Sequence, residues 1–207
     1  MHSKVKSILS WVIPIAIGLL LAVLIRQFWF TLVQVDGSSM FPNLKNNERV
    51  VAVKTSPIKR GSVIVFNAYG VDSSKNDPKL VYVKRVVAVG GDTVRYTKTG
   101  QLYVNNHRVK QAYLKNKAQR TTGSFMANSH SQFTGWTLNS LSHDQPNWQV
   151  KVTNNRVPKG SYFVLGDHRS VSNDGRAWGF VPKNKVIGVV KAWPWQSRKN
   201  YINNFQS

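Results

Sequence analysis

The sequence contains no cysteine, and only eight of its 207 residues are acidic. The absence of cysteine excludes disulfide bonds, catalysis by a thiolate and zinc sites built on cysteine. The only glutamate is Glu48, and no two histidines have the spacing of metal ligands. We therefore expect neither a metal nor another cofactor. So few carboxylates also leave little material for catalysis by a pair of acids.

Positive charge is abundant, with 29 lysines and arginines and a formal net charge of +21. A charge of this size implies an anionic neighbour, such as nucleic acid, an anionic membrane or an acidic cell wall. The basic residues are spread along the chain without a block, whereas a nucleic-acid footprint usually clusters on one element. We therefore expect no nucleic-acid partner, and lipid or cell-wall polymer remain as candidates.

A long apolar run occupies residues 8–25, interrupted only by Ser10, Pro14 and Gly18. A membrane-spanning helix needs about 20 apolar residues, and the aromatic residues at 28–30 that follow the run suit a membrane interface. The alternative, a buried core helix, is less consistent with a segment that is apolar on all sides.

No small residues that would suit a signal-peptide cleavage site follow this run. The sequence therefore predicts an uncleaved signal anchor over residues 8–30. Because Lys4 and Lys6 precede the run, the positive-inside rule predicts that residues 1–7 are cytoplasmic. Residues 31–207 would then form an extracytoplasmic domain of a protein that crosses the cell membrane once.

Beyond the anchor, short segments rich in β-branched and aromatic residues alternate with turn residues, which predicts a mostly antiparallel β domain. The predicted strands lie at 49–55, 61–68, 80–89, 93–97, 101–106, 148–154, 161–167 and 185–195. Residues 107–147 are polar and lack a clear period. They could form an accessory β subdomain or a loose surface insertion.

The first candidate for chemistry is the serine pair Ser38 and Ser39 in "VDGSSMFPNL" at residues 35–44. A serine is a weak nucleophile unless a base takes its proton. No histidine lies within 30 residues of this segment, and His168 is the only histidine beside suggestive residues. The base must therefore come from a distant part of the chain.

A second candidate is Lys84, which stands with Arg85 inside the apolar segment "LVYVKRVVAV". In a strand, Lys84 would share a face with Tyr82, Val86 and Ala88, so one of the two cations is expected to face the core. Burial would lower the pKa of a lysine and make it a usable base. Alternatively, both cations protect an edge strand from aggregation.

A third stretch, "GDHRSVSNDGRAWGFVP" at residues 166–182, is either a polar turn or a loop that carries binding residues. Together the three stretches identify a resemblance: the chain resembles type I (leader) signal peptidases, most closely the Gram-positive form with a single anchor. The segments that carry it are "GSSMFPNL", "GSVIVF", "YVKRVVAVGGD" and the third stretch itself. This resemblance implies a membrane-bound serine endopeptidase that removes signal peptides after small residues, of the Ala-X-Ala type.

The resemblance also implies roles for individual residues. Ser39 would be the nucleophile and Lys84 the general base of a Ser-Lys dyad, with Ser172 orienting the lysine. Asp167, Asp174 and Arg176 would support them. The Ser39 backbone N–H would stabilise the oxyanion. The remaining members, which would bind an extended substrate as an added strand, are Val35, Asp36, Gly37, Met40, Leu44, Tyr82 and Val83.

The chain departs from the family pattern at several positions. Gly37 lacks a hydroxyl that some members use for the oxyanion, so Ser38 or a backbone group would have to replace it. The other departures are at Asn43, His168, Ser170, Val171 and Gly175. The expected partners are preprotein signal peptides, the lipid bilayer and the secretion translocon.

The positive charge keeps a second function open: a non-catalytic, membrane-anchored cationic protein that binds anionic cell-wall polymer or lipid. A self-cleaving regulator with the same dyad is disfavoured, because the N-terminal segment is an apolar run rather than a helix-turn-helix.

Overall fold

The computed structural model describes residues 2–123, 135–152 and 154–203, and only the backbone of residues 2–9. Helix α1 (His2–Phe28) contains the apolar run. Its segment Ser10–Phe28 has a mean hydropathy of 2.1 and is not buried against the rest of the chain. At about 1.5 Å per residue, such a helix is long enough to cross a bilayer core. Of the predicted cytoplasmic segment, residue 1 lies outside the described residues.

The other described residues contain two antiparallel sheets, which confirms the predicted mostly β fold. The seven-stranded sheet has the order β1-β2-β11-β3-β4-β9-β10 and the four-stranded sheet the order β7-β6-β5-β8. The strands are β1 (Phe30–Gln34), β2 (Arg49–Val53), β3 (Val63–Asn67), β4 (Val81–Val89), β5 (Val94–Thr97), β6 (Leu102–Val104), β7 (His107–Val109), β8 (Gly135–Thr137), β9 (Ser161–Leu165), β10 (Phe180–Pro182) and β11 (Val186–Lys191). The short helices are α2 (Lys117–Thr122), α3 (Leu138–Asp144), α4 (Gly175–Trp178) and α5 (Lys199–Asn203).

Strand β4 is the strand on which the site depends, and it lies inside the large sheet between β3 and β9. Both Lys84 and Arg85 are buried, with 4% and 1% of their surface exposed. The edge-strand interpretation is therefore wrong, and where one buried cation was expected, both are buried. Both faces of the sheet are covered at this point, so the two alternating side chains are each enclosed.

A register shift between Val86 and Ala88 interrupts β4 where it pairs with β9. Val86 packs in the same cluster as Tyr82, but Ala88 packs in the cluster beneath the small sheet. The prediction that Ala88 shares the face of Lys84 is therefore wrong, because a bulge reverses the alternation.

The predicted strand at 148–154 is not a strand in the described residues, and residue 153 lies outside them. Trp148 instead inserts its ring into the core, 5.0 Å from the Phe180 ring centroid. The apolar residues of this segment thus reflect packing rather than sheet pairing.

The insertion at 107–147 is described at 107–123 and 135–147, and residues 124–134 lie outside the described residues. The described parts pack as an accessory subdomain with the β5–β6 hairpin. The Tyr96 and Trp136 rings stack at 5.1 Å, and Trp136 also contacts Phe163 of the large sheet. One continuous apolar cluster therefore joins the two sheets.

Candidate active site

Ser39 lies in a tight turn that follows strand β1. Buried Val35 and Met40 anchor the turn on either side, with 2% and 0% of their surface exposed. Gly37 has a φ of +83°, a left-handed conformation that side chains disfavour. The Phe41 N–H donates to Ser38 O at 3.0 Å. The turn thereby leaves Ser39 half-buried and Ser38 exposed.

The buried amine of Lys84 reaches this serine from the interior of β4. Its Nζ lies 2.8 Å from Ser39 Oγ and 3.2 Å from Val83 O. It also lies 5.1 Å from the centroid of the Tyr82 ring. Burial lowers the pKa of Lys84 to about 8, although the carboxylates of Asp174 and Asp167 act in the opposite direction. A substantial fraction of this amine is therefore neutral near physiological pH, as a general base requires.

The loop after β9 supplies an ion pair close to the lysine. Arg176 Nε and Nη2 each donate to a carboxylate oxygen of Asp174 at 2.9 Å. The Gly166 N–H also donates to Asp174 at 2.9 Å. Burial opposes ionisation of Asp174, but Arg176 and the backbone donors hold the pKa of this carboxyl below its usual value. Asp174 therefore stays ionised and attracts positive charge towards the site.

Gly175, one of the departures from the family pattern, begins helix α4 at a point of close approach. A Cβ added there would lie 2.7 Å from Val164 O and 2.9 Å from the Phe163 ring. In this chain the backbone of α4 thus packs directly on β9, which a serine at this position would prevent.

A second buried ion pair joins Asp167 to Arg85, through contacts of 2.8 Å and 2.7 Å. Asp167 also accepts a hydrogen bond of 2.6 Å from the Asn43 side chain. Arg85 Nη1 donates to Gly61 O and to Tyr201 O, each at 2.8 Å. The negative charge of Asp167 therefore acts on Lys84, and its hydrogen bond with Asn43 holds the turn that carries Ser39.

Asn43 also ties the serine turn to the C-terminal segment. Arg198 Nε donates to Asn43 Oδ1 at 2.7 Å, while the Asn43 amide donates to Tyr113 O at 3.2 Å. The amide thus has partners on both sides, which a threonine hydroxyl at this position would not provide.

The cleft beside Ser39 and Lys84 has a volume of about 460 Å³. One wall is the chain from the end of β1 to Ser39, and the other is the chain that leads into β4. Its lining residues are Val33, Gln34, Val35, Asp36, Gly37, Ser38, Ser39, Asp77, Lys79, Leu80, Val81, Tyr82, Val83, Lys84, Val171 and Asn173.

Comparison with known proteins identifies the relatives of this chain. The sequence profile of the family described as "Signal peptidase, peptidase S26" matches residues 8–195. Signal peptidase IB of Staphylococcus aureus is 36% identical over 204 residues, which are 96% of each chain. Signal peptidase I S of Bacillus subtilis is 35% identical over 194 residues, which are 91% of this chain and 90% of the relative.

The chain belongs to the signal peptidase family. It is therefore a hydrolase of the type I signal peptidase class, and this decides against the non-catalytic alternative. A crystal structure of a signal peptidase I from Enterococcus faecalis is also similar, with 31% sequence identity and a TM-score of 0.46. The match covers 65% of this chain and 97% of that one.

In this member of the signal peptidase family, five of the seven residues expected to bind substrate line the cleft. They are Val35, Asp36, Gly37, Tyr82 and Val83. The structure corrects the other two, because Met40 and Leu44 have no exposed surface and lie in the core cluster beneath the turn. Their large apolar side chains support the cleft from below instead of lining it.

Ser172, expected to orient the lysine of a signal peptidase, lies close to the site but forms no hydrogen bond with Lys84 in the described part of the chain. Its hydroxyl is buried and has no hydrogen-bond partner among the described residues. A Cβ added at Gly166 would collide with this hydroxyl and lie 2.6 Å from Ser39 O, so Ser172 adjoins the nucleophile turn. The orienting role stays a prediction.

Sequence reasoning missed a carboxylate behind Tyr82. The Tyr82 hydroxyl donates to Asp72 at 2.9 Å, and the Asn173 amide donates to the same oxygen at 2.8 Å. Burial and this contact raise the pKa of Tyr82 to about 12. The contact fixes the ring that lies beside Lys84. Asn173 is far from Asp72 and Tyr82 in the chain, so no local sequence pattern predicts this contact.

His168 and Arg169 are two further residues that the sequence did not mark as structural. The His168 N–H donates to Ser39 O at 2.9 Å, and its Nδ1 lies 3.2 Å from Ser38 O. Buried Arg169 donates to the hydroxyls of Tyr96 and Tyr113 at 2.8 Å and 2.9 Å. The first residue holds the turn that carries Ser39, and the second connects the loop to Tyr96 of β5 and to Tyr113.

Proposed function

We propose that this chain is a membrane-anchored serine endopeptidase that removes N-terminal signal peptides from exported preproteins with a Ser39–Lys84 dyad. The observation that carries the proposal is the 2.8 Å distance between Lys84 Nζ and Ser39 Oγ beside an open cleft. The lowered pKa of Lys84, about 8, supports the same assignment because a base must be neutral to accept a proton.

The chemistry proceeds in two steps. Neutral Lys84 takes the proton of Ser39, whose oxygen attacks the scissile carbonyl and forms a tetrahedral intermediate. This intermediate collapses as protonated Lys84 gives its proton to the leaving amine, which leaves an acyl-enzyme. Lys84 then takes a proton from water, and the resulting hydroxide attacks the acyl carbonyl. The bond between the acyl carbon and Ser39 Oγ breaks, the signal peptide leaves, and protonated Lys84 returns its proton to the serine.

The oxyanion of each intermediate needs preorganised donors. The Ser39 N–H has no acceptor among the described residues and belongs to the same peptide unit as Ser38 O. That carbonyl oxygen accepts from Phe41 and lies beside His168. Since the N–H of a trans peptide points opposite to the carbonyl, the donor is held in one direction. The exposed Ser38 hydroxyl is the proposed second donor in place of the one that Gly37 lacks.

An extended substrate would pair with two incomplete strand edges. Strand β9 pairs with β4 only from Arg85 onward, so residues 81–84 have β3 on one side only. The opposite wall continues β1, whose outer edge is not paired with any described strand. Backbone groups at these edges bind a peptide as an added strand. Val35 and Val83 face the apolar cluster beneath, which favours small residues such as alanine at P1 and P3.

Helix α1 would anchor this site to the lipid bilayer, with the N-terminus in the cytoplasm and the catalytic domain outside. The exposed apolar surface of Ser10–Phe28 supports this arrangement. The site would then meet signal peptides where they emerge beside the secretion translocon.

The test uses the purified full chain in detergent with a reporter preprotein. The wild type should cleave it, and the Ser39→Ala and Lys84→Ala variants should not, because each lacks half of the dyad. Protein sequencing of the mature product should place the cleavage after a small residue. Appreciable cleavage by the Lys84→Ala protein would exclude the dyad.

A further inference from the structure

Asp36 differs from every other acidic residue of the chain. All eight acids lie in the described residues, and four of them are buried with hydrogen-bond partners: Asp72, Asp92, Asp167 and Asp174. The side chains of Glu48, Asp77 and Asp144 each accept a hydrogen bond or contact a histidine. Asp36 alone has no hydrogen bond or ion pair with any described residue, and it is exposed.

This unpaired carboxylate lines the cleft three residues before the nucleophile. The chain that leads to it alternates regularly: Leu32, Gln34 and Asp36 are exposed, whereas Val33 is half-buried and Val35 is buried. The side chain of Asp36 therefore lies on the outer face of this wall, opposite to the face of Val35.

Side chains of neighbouring strands share a face, so a substrate strand paired with this wall continues the same alternation. The small residues at P1 and P3 would face inward with Val35. The residue between them, P2, would face outward with Asp36. Among positions close to the scissile bond, P2 is thus the one next to the carboxylate.

We infer that Asp36 selects substrates with a cationic side chain, lysine or arginine, at P2. The inference rests on the proposed function and adds a substrate class to it. With 29 basic residues in the chain, a cationic peptide meets a repulsive surface almost everywhere. Lys79 on the opposite wall of the cleft is exposed and forms no ion pair with Asp36 among the described contacts. Asp77 also lines the cleft, but it lies on the opposite wall and its side chain accepts a hydrogen bond from the Lys79 N–H. Asp36 is therefore the unpartnered carboxylate on the wall beside P2.

The expected preference is modest, because exposed ion pairs are screened by water. A single such pair corresponds to about a two- to fivefold difference in kcat/KM between lysine and glutamine at P2. Glutamate at P2 should be disfavoured by a similar factor. Both differences should shrink as salt is added, since the groups are exposed.

The test compares three reporter preproteins that are identical except for lysine, glutamine or glutamate at P2. The wild type should cleave them in that order of kcat/KM. Asp36→Asn should give similar kcat/KM values for the three reporters, and Asp36→Lys should reverse their order. Asp144→Asn removes another exposed carboxylate, one that lies outside the cleft, and should keep the wild-type order.

An unchanged lysine-to-glutamate ratio in Asp36→Asn would overturn the inference. This result is distinct from failure of the proposed function, because Ser39→Ala would then still abolish the cleavage of all three reporters. If Ser39→Ala also cleaved them, the dyad itself would be wrong. A reversed order in Asp36→Lys that disappears at high salt would establish that the effect is electrostatic.

Discussion

Replacing Lys84 by methionine should make the protein inactive but relatively more stable below the pKa of the lysine. The two side chains have similar volume, so the core stays filled. In the folded chain the pKa of Lys84 is about 8, against 10.5 for an ordinary lysine. The unfolded state therefore holds more protons between these two pH values, and wild-type stability rises with pH across this window.

The size of the effect follows from the two pKa values. Below pH 8 the buried ammonium costs the wild type about 3 kcal/mol of unfolding free energy, at about 1.4 kcal/mol for each pH unit between them. From about pH 6.5 to about pH 9.5 the wild type should recover about 2 kcal/mol of this cost. The methionine variant has no titrating group at this position, so its unfolding free energy lacks this pH dependence. Its stability advantage over the wild type should therefore shrink by the same amount between these two pH values.

Urea unfolding of the full chain in detergent, followed by tryptophan fluorescence, measures this difference at the two pH values. The control is Lys159→Met, which removes an exposed lysine and should show no comparable pH dependence relative to the wild type. If the stability difference between Lys84→Met and the wild type did not change with pH, the pKa of Lys84 would not be lowered in the folded chain, and the reasoning would fail.

Three further outcomes are expected. Because the neutral fraction of Lys84 sets the rate, kcat/KM of the wild type should rise about tenfold per pH unit below pH 7 and level off above about pH 8; a plateau that begins near pH 6 would contradict this. His168→Leu should lower kcat about tenfold with little change in KM, because the peptide that carries the oxyanion donor loses its contact at Ser38 O. His168→Asn should recover part of the loss, because its amide can donate to the same oxygen. Equal kcat values in the wild type and both variants would contradict a role of His168 in the site. Arg169→Met should lower the free energy of unfolding by about 2–4 kcal/mol, because buried phenol and amide partners lose their donor, whereas Arg108→Met, at an exposed position, should change it little; equal effects of the two substitutions in urea unfolding would contradict this.

Much of the fold could be predicted from local patterns. The apolar run predicted helix α1, and clusters of β-branched residues predicted the longer strands such as β4. Four strands have only three residues, and three of these, β7, β8 and β10, were not predicted because they are too short to display a period of two. Their positions depend on the strands that they pair with, which a local pattern does not contain.

The site could be predicted only in part, for a related reason. Ser39 and Lys84 were paired through the resemblance to a family, because periodicity alone did not distinguish a buried lysine from an edge charge. Burial of Lys84 depends on the position of β4 inside the large sheet, between β3 and β9, which is a property of the sheet order. The contact between Asp72 and Asn173 joins residues 101 positions apart, and only the folded chain reveals it.

The contacts of Arg85 and Asn43 with the C-terminal segment link the beginning and the end of the folded chain at the site. The nucleophile is synthesised early, at residue 39, but its turn is fastened through Asn43 to Arg198, and Arg85 donates to Tyr201. A nascent chain therefore contains its serine and lysine long before it can hold them in place. A chain that ends before residue 198 therefore lacks two of the hydrogen bonds that support the turn carrying Ser39.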